Sequence, residues 1–286
     1  MRFDTIAPPQ DGEQRLYENL SLVLDSQRPR LQRLIEHNQA QVLVRRKAAY
    51  RLIAELLIDV SACRRSVHPD QLEEAIQDLH RDVRQREQTC VEALLKLYAF
   101  RKDDAQASAL PLEEGRWGDD LFNPATMKQL GIKVGGGMAA GAATGVGIDL
   151  LTGGLSLGMA TVVGAAVGGL TQTFRNYGER LKGKWRGERE LTVNDSTLRL
   201  LAIRQQRLLN ALEQRGHAAQ ARIQMDTPLE QQWREGELAQ PLKTARAYPA
   251  WSSLNAKKPQ QDLQRTEEIE RLANSLAKQQ LITEQS

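Results

Sequence analysis

Glycine clusters are where this sequence first offers chemistry, because a glycine-rich turn can cradle phosphate with its backbone amides. Gly136 and Gly141 have the four-residue gap of a P-loop. Ala142 and Ala143 stand where that loop needs Lys and Ser or Thr, so nothing is left to reach the outer phosphates or Mg2+. Gly145-Val146-Gly147 opens a dinucleotide-binding GxGxxG, but Leu150 holds the third glycine's place and no strong strand precedes it. His37, His68, His80 and His217 fall in separate elements without metal-ligand spacing. The adjacent carboxylates Glu73-Glu74 and Glu267-Glu268 sit on charged helical stretches and read as solvated. The reading therefore assigns no catalytic residue, no cofactor-binding residue and no metal ligand, and expects no enzyme and no cofactor in this chain.

The same glycines have a different use. Gly137, Gly141 and Gly145 are spaced by four, as are Gly154 and Gly158, and Gly164 and Gly168. Small-xxx-small spacing lines glycines on one helix face, where another backbone can approach closely. Each glycine costs a helix about 1 kcal/mol relative to Ala, so close packing in lipid or in a protein core must offset it. Residues 134–170 carry a single charge, Asp149. The Asp149–Gly154 stretch (DLLTGG) reads as a turn, with Asp149 its cap, between arms of about 15 and about 20 residues. A spanning helix needs roughly 20 apolar residues, so a re-entrant or shallow hairpin over 128–175 fits better than two spans. Lys128 and Lys133 precede it, and Arg175, Arg180, Lys182, Lys184 and Arg186 follow it. Basic flanks suit a hairpin whose ends stay at an anionic cytoplasmic surface. The alternative is burial of both arms inside a soluble helical domain.

The surrounding elements must hold this hairpin. Residues 1–12, with Pro8, Pro9 and Gly12, read as a linker from an upstream domain. Residues 13–103 read as a bundle of long amphipathic helices: a first around Leu16 and Leu20, a second capped by Ser26, and a third from Leu72, with the connection near 64–70. The polar stretch 104–127 reads as a second linker. Residues 176–286 form a helical C-terminal region. It holds a possible strand at 190–193, a helix capped by Asn194 or Asp195, an irregular part at 227–261 with four prolines, and a last helix near 262–280.

Composition agrees. Aromatic residues make up only 5% of the chain, which argues against a large β-sandwich or barrel, and good helix formers dominate. The fold class is mainly α: a long-helix bundle with a central glycine-rich helical hairpin and an irregular C-terminal part. A net charge of +3 is too small to imply nucleic-acid binding, and none is expected. Cys63 and Cys90 are far apart, which fits a reducing compartment. The expected location is cytoplasmic, either free or peripheral to the inner membrane.

Three segments carry a family resemblance. FDTIAPPQDGEQRLYENL resembles the junction after the last strand of an Era-like small GTPase. GAATGVGIDLLTGGLSLGMATVVGAAVGGL resembles the glycine-rich heart of the domain of unknown function that follows that GTPase in many proteobacterial proteins. TLRLLAIRQQRLLNALEQRGHAA and AYPAWSSL resemble its C-terminal half. The resemblance implies an effector or membrane-associating module whose partner is the Era-like GTPase, in cis or in trans. The GTPase motifs are not in this sequence; Asn255-Ala256-Lys257-Lys258 is not the guanine-reading NKxD. The expected function is a non-catalytic module contacting the inner membrane or a partner. The rivals are a soluble oligomerisation scaffold and a pore-forming protein.

Overall fold

The computed structural model describes residues 12–100, 112–113, 115–132, 148–151, 188–213, 228–255 and 261–284. The chain is mainly helical. The seven glycines singled out for the expected hairpin, Gly137, Gly141, Gly145, Gly154, Gly158, Gly164 and Gly168, fall outside the described residues, as do Lys133, Arg175, Arg180, Lys182, Lys184 and Arg186.

Helix α1 (Gly12–Val23) packs against α2 (Arg28–Ser61), with a 3-10 turn at Asp25–Gln27 between them. Ser26 lies inside that turn, so the cap position of α2 falls to Gln27, whose side chain makes no capping bond; Pro29 occupies the first helical turn, where its missing N–H costs nothing. At 1.5 Å per residue α2 is about 51 Å long. Its two halves differ. No side chain from 32 to 48 is buried, whereas from Ala49 to Ser61 nearly every one is. The sequence changes accordingly, from QRLIEHNQAQVLVRRK to the almost continuous apolar run AAYRLIAELLIDV.

The expected connection at 64–70 contains a strand, β1 (Arg64–Val67), and a 3-10 turn at Pro69–Gln71. Helix α3 (Leu72–Leu97) follows and ends in a Schellman motif: Phe100 N–H donates to Leu95 O (2.8 Å) and Ala99 N–H to Lys96 O (3.0 Å). That motif puts Ala99 at φ 52°, in the region that favours glycine. The stretch read as a linker is partly core: Leu112, Leu121, Phe122 and Met127 are buried. Its apolar residues are too few to show periodicity, which is why composition alone reads as a connector. It contains α4 (Pro124–Gln129), capped by Asn123, whose Oδ1 accepts from Ala125 N–H at 2.9 Å.

Strands β2 (Ile148–Leu151) and β3 (Arg189–Val193) complete an antiparallel sheet of order β1-β3-β2. Leu191 and Val193 face the core while Glu190 and Thr192 are half-buried, the alternation expected of a sheet with one covered face. Helix α5 (Asp195–Glu213) is the central helix, buried on nearly all sides. Asn194 is its cap, its Oδ1 accepting from Thr197 N–H at 2.9 Å. The part read as irregular holds α6 (Pro228–Glu235), α7 (Gln240–Ala245) and a 3-10 turn at Pro249–Trp251. Each has a proline in its first turn, so residues read as breakers are starters here. Helix α8 (Leu263–Glu284) runs along α2.

The end of α2 is clamped by the segment after α7. Asp59, fully buried in the core, accepts from Arg86 Nε (2.6 Å) and from the backbone N–H and hydroxyl (2.7 Å) of Ser253. Asn255 bridges further: Oδ1 accepts from Arg64 N–H (3.0 Å), and Nδ2 donates to Pro249 O (2.8 Å). Arg65 donates to Leu254 O at 2.6 Å, and Ser61 Oγ to Leu242 O at 2.8 Å. Trp251, with no exposed surface, stacks on Tyr248 (4.4 Å) and donates its indole N–H to Asp262 (3.0 Å).

Two stability measurements follow. Asp59→Ala leaves the Arg86 guanidinium unpaired and Ser253 unsatisfied, and lowers stability by about 3 kcal/mol or more in urea unfolding. Ala99→Gly relieves the left-handed alanine and raises stability by about 1 kcal/mol in the same assay.

Candidate functional site

The described residues hold the glycine-rich segment at four points: Ile132, Ile148, Leu151 and Glu188. The first is the end of a strap, residues 115–132, that leads from α3 into the segment. A Schellman turn closes α4 there: Ile132 N–H donates to Met127 O (3.0 Å), and Gly131 takes the left-handed conformation, φ 67°. Ile132 is buried.

Charged groups seat the strap on α3 and α5. Arg84 makes a bidentate pair with Asp120 (2.7 and 3.0 Å), holding that carboxyl below the usual carboxylate range. Arg84 also lies over the Phe122 ring, which packs against His80 at 3.9 Å. Gln88 donates to Gly115 O at 3.2 Å. Deeper in, Arg204 of α5 pairs with Glu87 of α3 (3.2 Å), donates to Asp119 O (3.1 Å), and lies under the Trp117 ring (4.6 Å). Gln205 Nε2 donates to Glu87 at 3.2 Å. Burial pushes the Glu87 carboxyl up to about 7, against the pull of Arg204 and Gln205; burial likewise lowers the Arg204 pKa.

The middle of the segment is a strand. Residues 148–151, read as the start of the hairpin's turn, pair with β3 in the register Ile148↔Val193, Asp149↔Thr192, Leu150↔Leu191 and Leu151↔Glu190. The cross-strand pairing of Ile148 and Leu150 with core-facing Val193 and Leu191 accounts for this: the apolar alternation suits a sheet face. Asp149 is therefore a strand residue, on the same sheet face as Thr192 and Arg64. Its carboxyl is raised by burial and by Asp195, and lowered by Arg246. Arg246 binds Asp195 and Val193 O (3.2 Å). Arg64 donates to Arg246 O (3.1 Å) and lies 3.7 Å from Glu190.

Of the expected surface residues, Lys128 is exposed in the last turn of α4. The seven glycines and the remaining six basic positions lie outside the described residues, as noted. Sequence reasoning missed the Glu87–Arg204–Gln205 cluster and the Arg64–Arg246–Asp195 group. The first left a trace: Arg204-Gln205-Gln206 interrupts the leucine periodicity of TLRLLAIRQQRLLNAL. It also missed one motif. Gly154-Leu155-Ser156-Leu157-Gly158 has the GxSxG spacing of a nucleophile elbow. These residues lie outside the described residues, and the strand before them is an antiparallel member of a three-stranded sheet, unlike the parallel sheet on which that elbow stands. Among the described residues no group of three His, Cys, Asp or Glu side chains is placed to share a metal ion, and no helix is long and apolar enough to cross a membrane.

The Glu87 pKa has a measurable sign. Its folded value lies above its unfolded one, so between pH 4.5 and about 7 the folded chain holds a proton that the unfolded chain has released. Stability falls as pH rises through that window and levels off above it. In urea unfolding the decline is steeper in the parent chain than in Glu87→Gln, where the Asp149 and Glu268 carboxyls, also raised by burial, remain; equal pH profiles would refute the assignment.

No curated protein and no solved structure matches the chain. Residues 1–274 match the family described as a domain of unknown function, DUF3482. That span takes in the strap, the sheet and the clamp together, and the chain is a member of the DUF3482 family.

Proposed function

We propose that this chain is a non-catalytic helical module that presents its glycine-rich segment to the inner membrane. The observation that carries the reading is the antiparallel pairing of β2 with β3. Leu151 pairs with Glu190, so residues 152–187 leave and return at adjacent points of one sheet edge-to-centre ladder. Whatever these residues touch, they must go out and come back.

Their composition sets the reach. Residues 152–174 carry no charged side chain, and 175–187 carry five basic residues against one acidic. Crossing a bilayer and returning takes roughly 40 apolar residues as two helices. The 23 uncharged residues are too few, but they suffice for a shallow re-entrant contact with the basic return at an anionic surface. The resemblance of residues 3–20 to a GTPase junction supports an Era-like GTPase as the protein partner, in cis or in trans. No nucleotide, metal or cofactor role is proposed for this chain.

A soluble scaffold is the second reading, favoured by burial of Ile148 in the core. One variant separates the two. Because the strand ends are adjacent, an Asn-Gly turn can replace residues 153–188 and close a two-residue hairpin. The membrane reading expects the parent chain to float with vesicles containing anionic lipid and not with neutral ones. It expects the shortened variant to melt at the same temperature and to stay at the bottom of the gradient. No flotation of the parent, with a lower melting temperature for the variant, would favour the scaffold.

A further inference from the structure

The front of the strap, residues 115–120, depends on one arginine of α5. Arg204 Nη2 donates to Asp119 O (3.1 Å), and the Trp117 ring lies over the same guanidinium. The other ties are Gln88 to Gly115 O and Arg84 to Asp120. Further along, Leu121, Phe122 and Met127 are core residues. The front can therefore loosen while the rest of the strap stays in place.

Arg204 is buried with its hydrogen-bonding capacity only partly used. Its Nε lies 3.2 Å from Glu87 Oε1 but out of line for a hydrogen bond, and among the described residues its Nη1 has no partner. Gln205 Nε2 donates to the same Glu87 oxygen at 3.2 Å, while Gln205 Oε1 is buried without a partner. The cluster thus holds unmet donors on Arg204 and an unmet acceptor on Gln205, and the proton on Glu87 decides which are met. A protonated Glu87 is itself a donor. It can close an acid–amide ring with Gln205, the amide N–H on one carboxyl oxygen and the acid O–H on the amide oxygen. Arg204 is then left to the strap. A charged Glu87 is an acceptor only, and a carboxylate takes a guanidinium best as a fork. Either fork, Nε with Nη2 or Nη1 with Nη2, uses the Nη2 that holds Asp119 O.

The charged groups around Glu87 come from three elements. Helix α5 supplies Arg204; the strap supplies Asp120, and Asp119 acts on Arg204. On α3, Arg84 is taken by Asp120, which His80 also faces, and Arg86 is taken by Asp59. The Cys90 thiol, one turn on, is pushed up to about 12 by burial and stays neutral. Burial of Glu87 outweighs its neighbours, which places the loss of its proton near neutral pH.

We infer that Glu87 is a proton-operated latch for the front of the strap. With the proton in place, Arg204 holds Asp119 and Trp117. When the proton leaves to solvent, Arg204 turns to Glu87 on α3 and residues 115–120 come loose, on the element that leads into the glycine-rich segment. The inference does not rest on the membrane reading.

The test is hydrogen exchange of the full chain, corrected for the intrinsic pH dependence of exchange. It is read at the Arg116 N–H, which donates to Glu113 O at 2.9 Å, and at amides of α3 and α5. One proton whose affinity drops on opening from about 7 toward the ordinary 4.5 sets the size of the effect. Raising the pH from about 6 to about 8 should cut the protection of Arg116 about tenfold relative to α3 and α5. Glu87→Gln keeps a donor for Gln205 and cannot charge, so its Arg116 should stay protected at both pH values. Arg84→Gln removes an exposed tie and leaves Glu87 in place. It should lower Arg116 protection throughout and keep the pH step, which keeps the latch testable if the Glu87 variant folds poorly. The latch is overturned by a parent chain without the step, or by a step of equal size in α3 and α5. A step that survives in Glu87→Gln, or one lost in Arg84→Gln, overturns it as well.

Discussion

One buried carboxylate ties the architecture together. Asp59 sits near the C-terminal end of the longest helix, where it would be expensive to bury without partners. It meets Arg86 from α3 and Ser253 from the segment after α7, so three stretches of chain distant in sequence converge on a single charge. Asn255, two residues on, then fixes the backbone of β1 through Arg64. The sheet inherits its position from there: β1 places β3, and β3 places β2.

The same device recurs through the core. Glu87 meets Arg204, Glu213 meets Arg46 and the Tyr98 hydroxyl, and Glu230 meets Arg207 and Arg234. Most of these pairs join separate elements, and each acid is almost wholly buried. Buried pairs add little net stability over well-packed apolar residues, but removing one partner is costly. Their effect in a helical core is selective: leucine-rich helices can slide or rotate on one another, whereas an arginine that must find one carboxylate cannot.

The helices were largely legible because their apolar spacing is local. The rise of apolar density at Ala49 and the cap at Asn194 can be read residue by residue. The sheet was not, since Arg64–Val67 has no strand pattern of its own and becomes one only through β3, more than a hundred residues later. The same holds for β2: Asp149–Leu151 reads as the start of a turn until Val193 and Leu191 are seen opposite Ile148 and Leu150. Prolines 228, 241 and 249 were misread because a helix start and a helix break use the same residue. As for the candidate site, its composition and its basic flanks were visible, but its tethering was not, because the partners of Asp149, Glu87 and Arg204 lie in other elements.

The way the glycine-rich segment is tied has a mechanical consequence. A pull on residues 152–187 acts through Leu151, the last residue of β2, and Arg189, the first of β3, and so loads the β2–β3 ladder in unzipping geometry, one pair at a time. A pull through Ile148 instead loads the opposite end of a strand only four residues long. Tension on either excursion therefore peels β2 from the sheet at low force, while β1 and β3 stay with the clamp. Traction on one excursion would thus be passed to the other as slack, joining the two stretches of the glycine-rich segment into one.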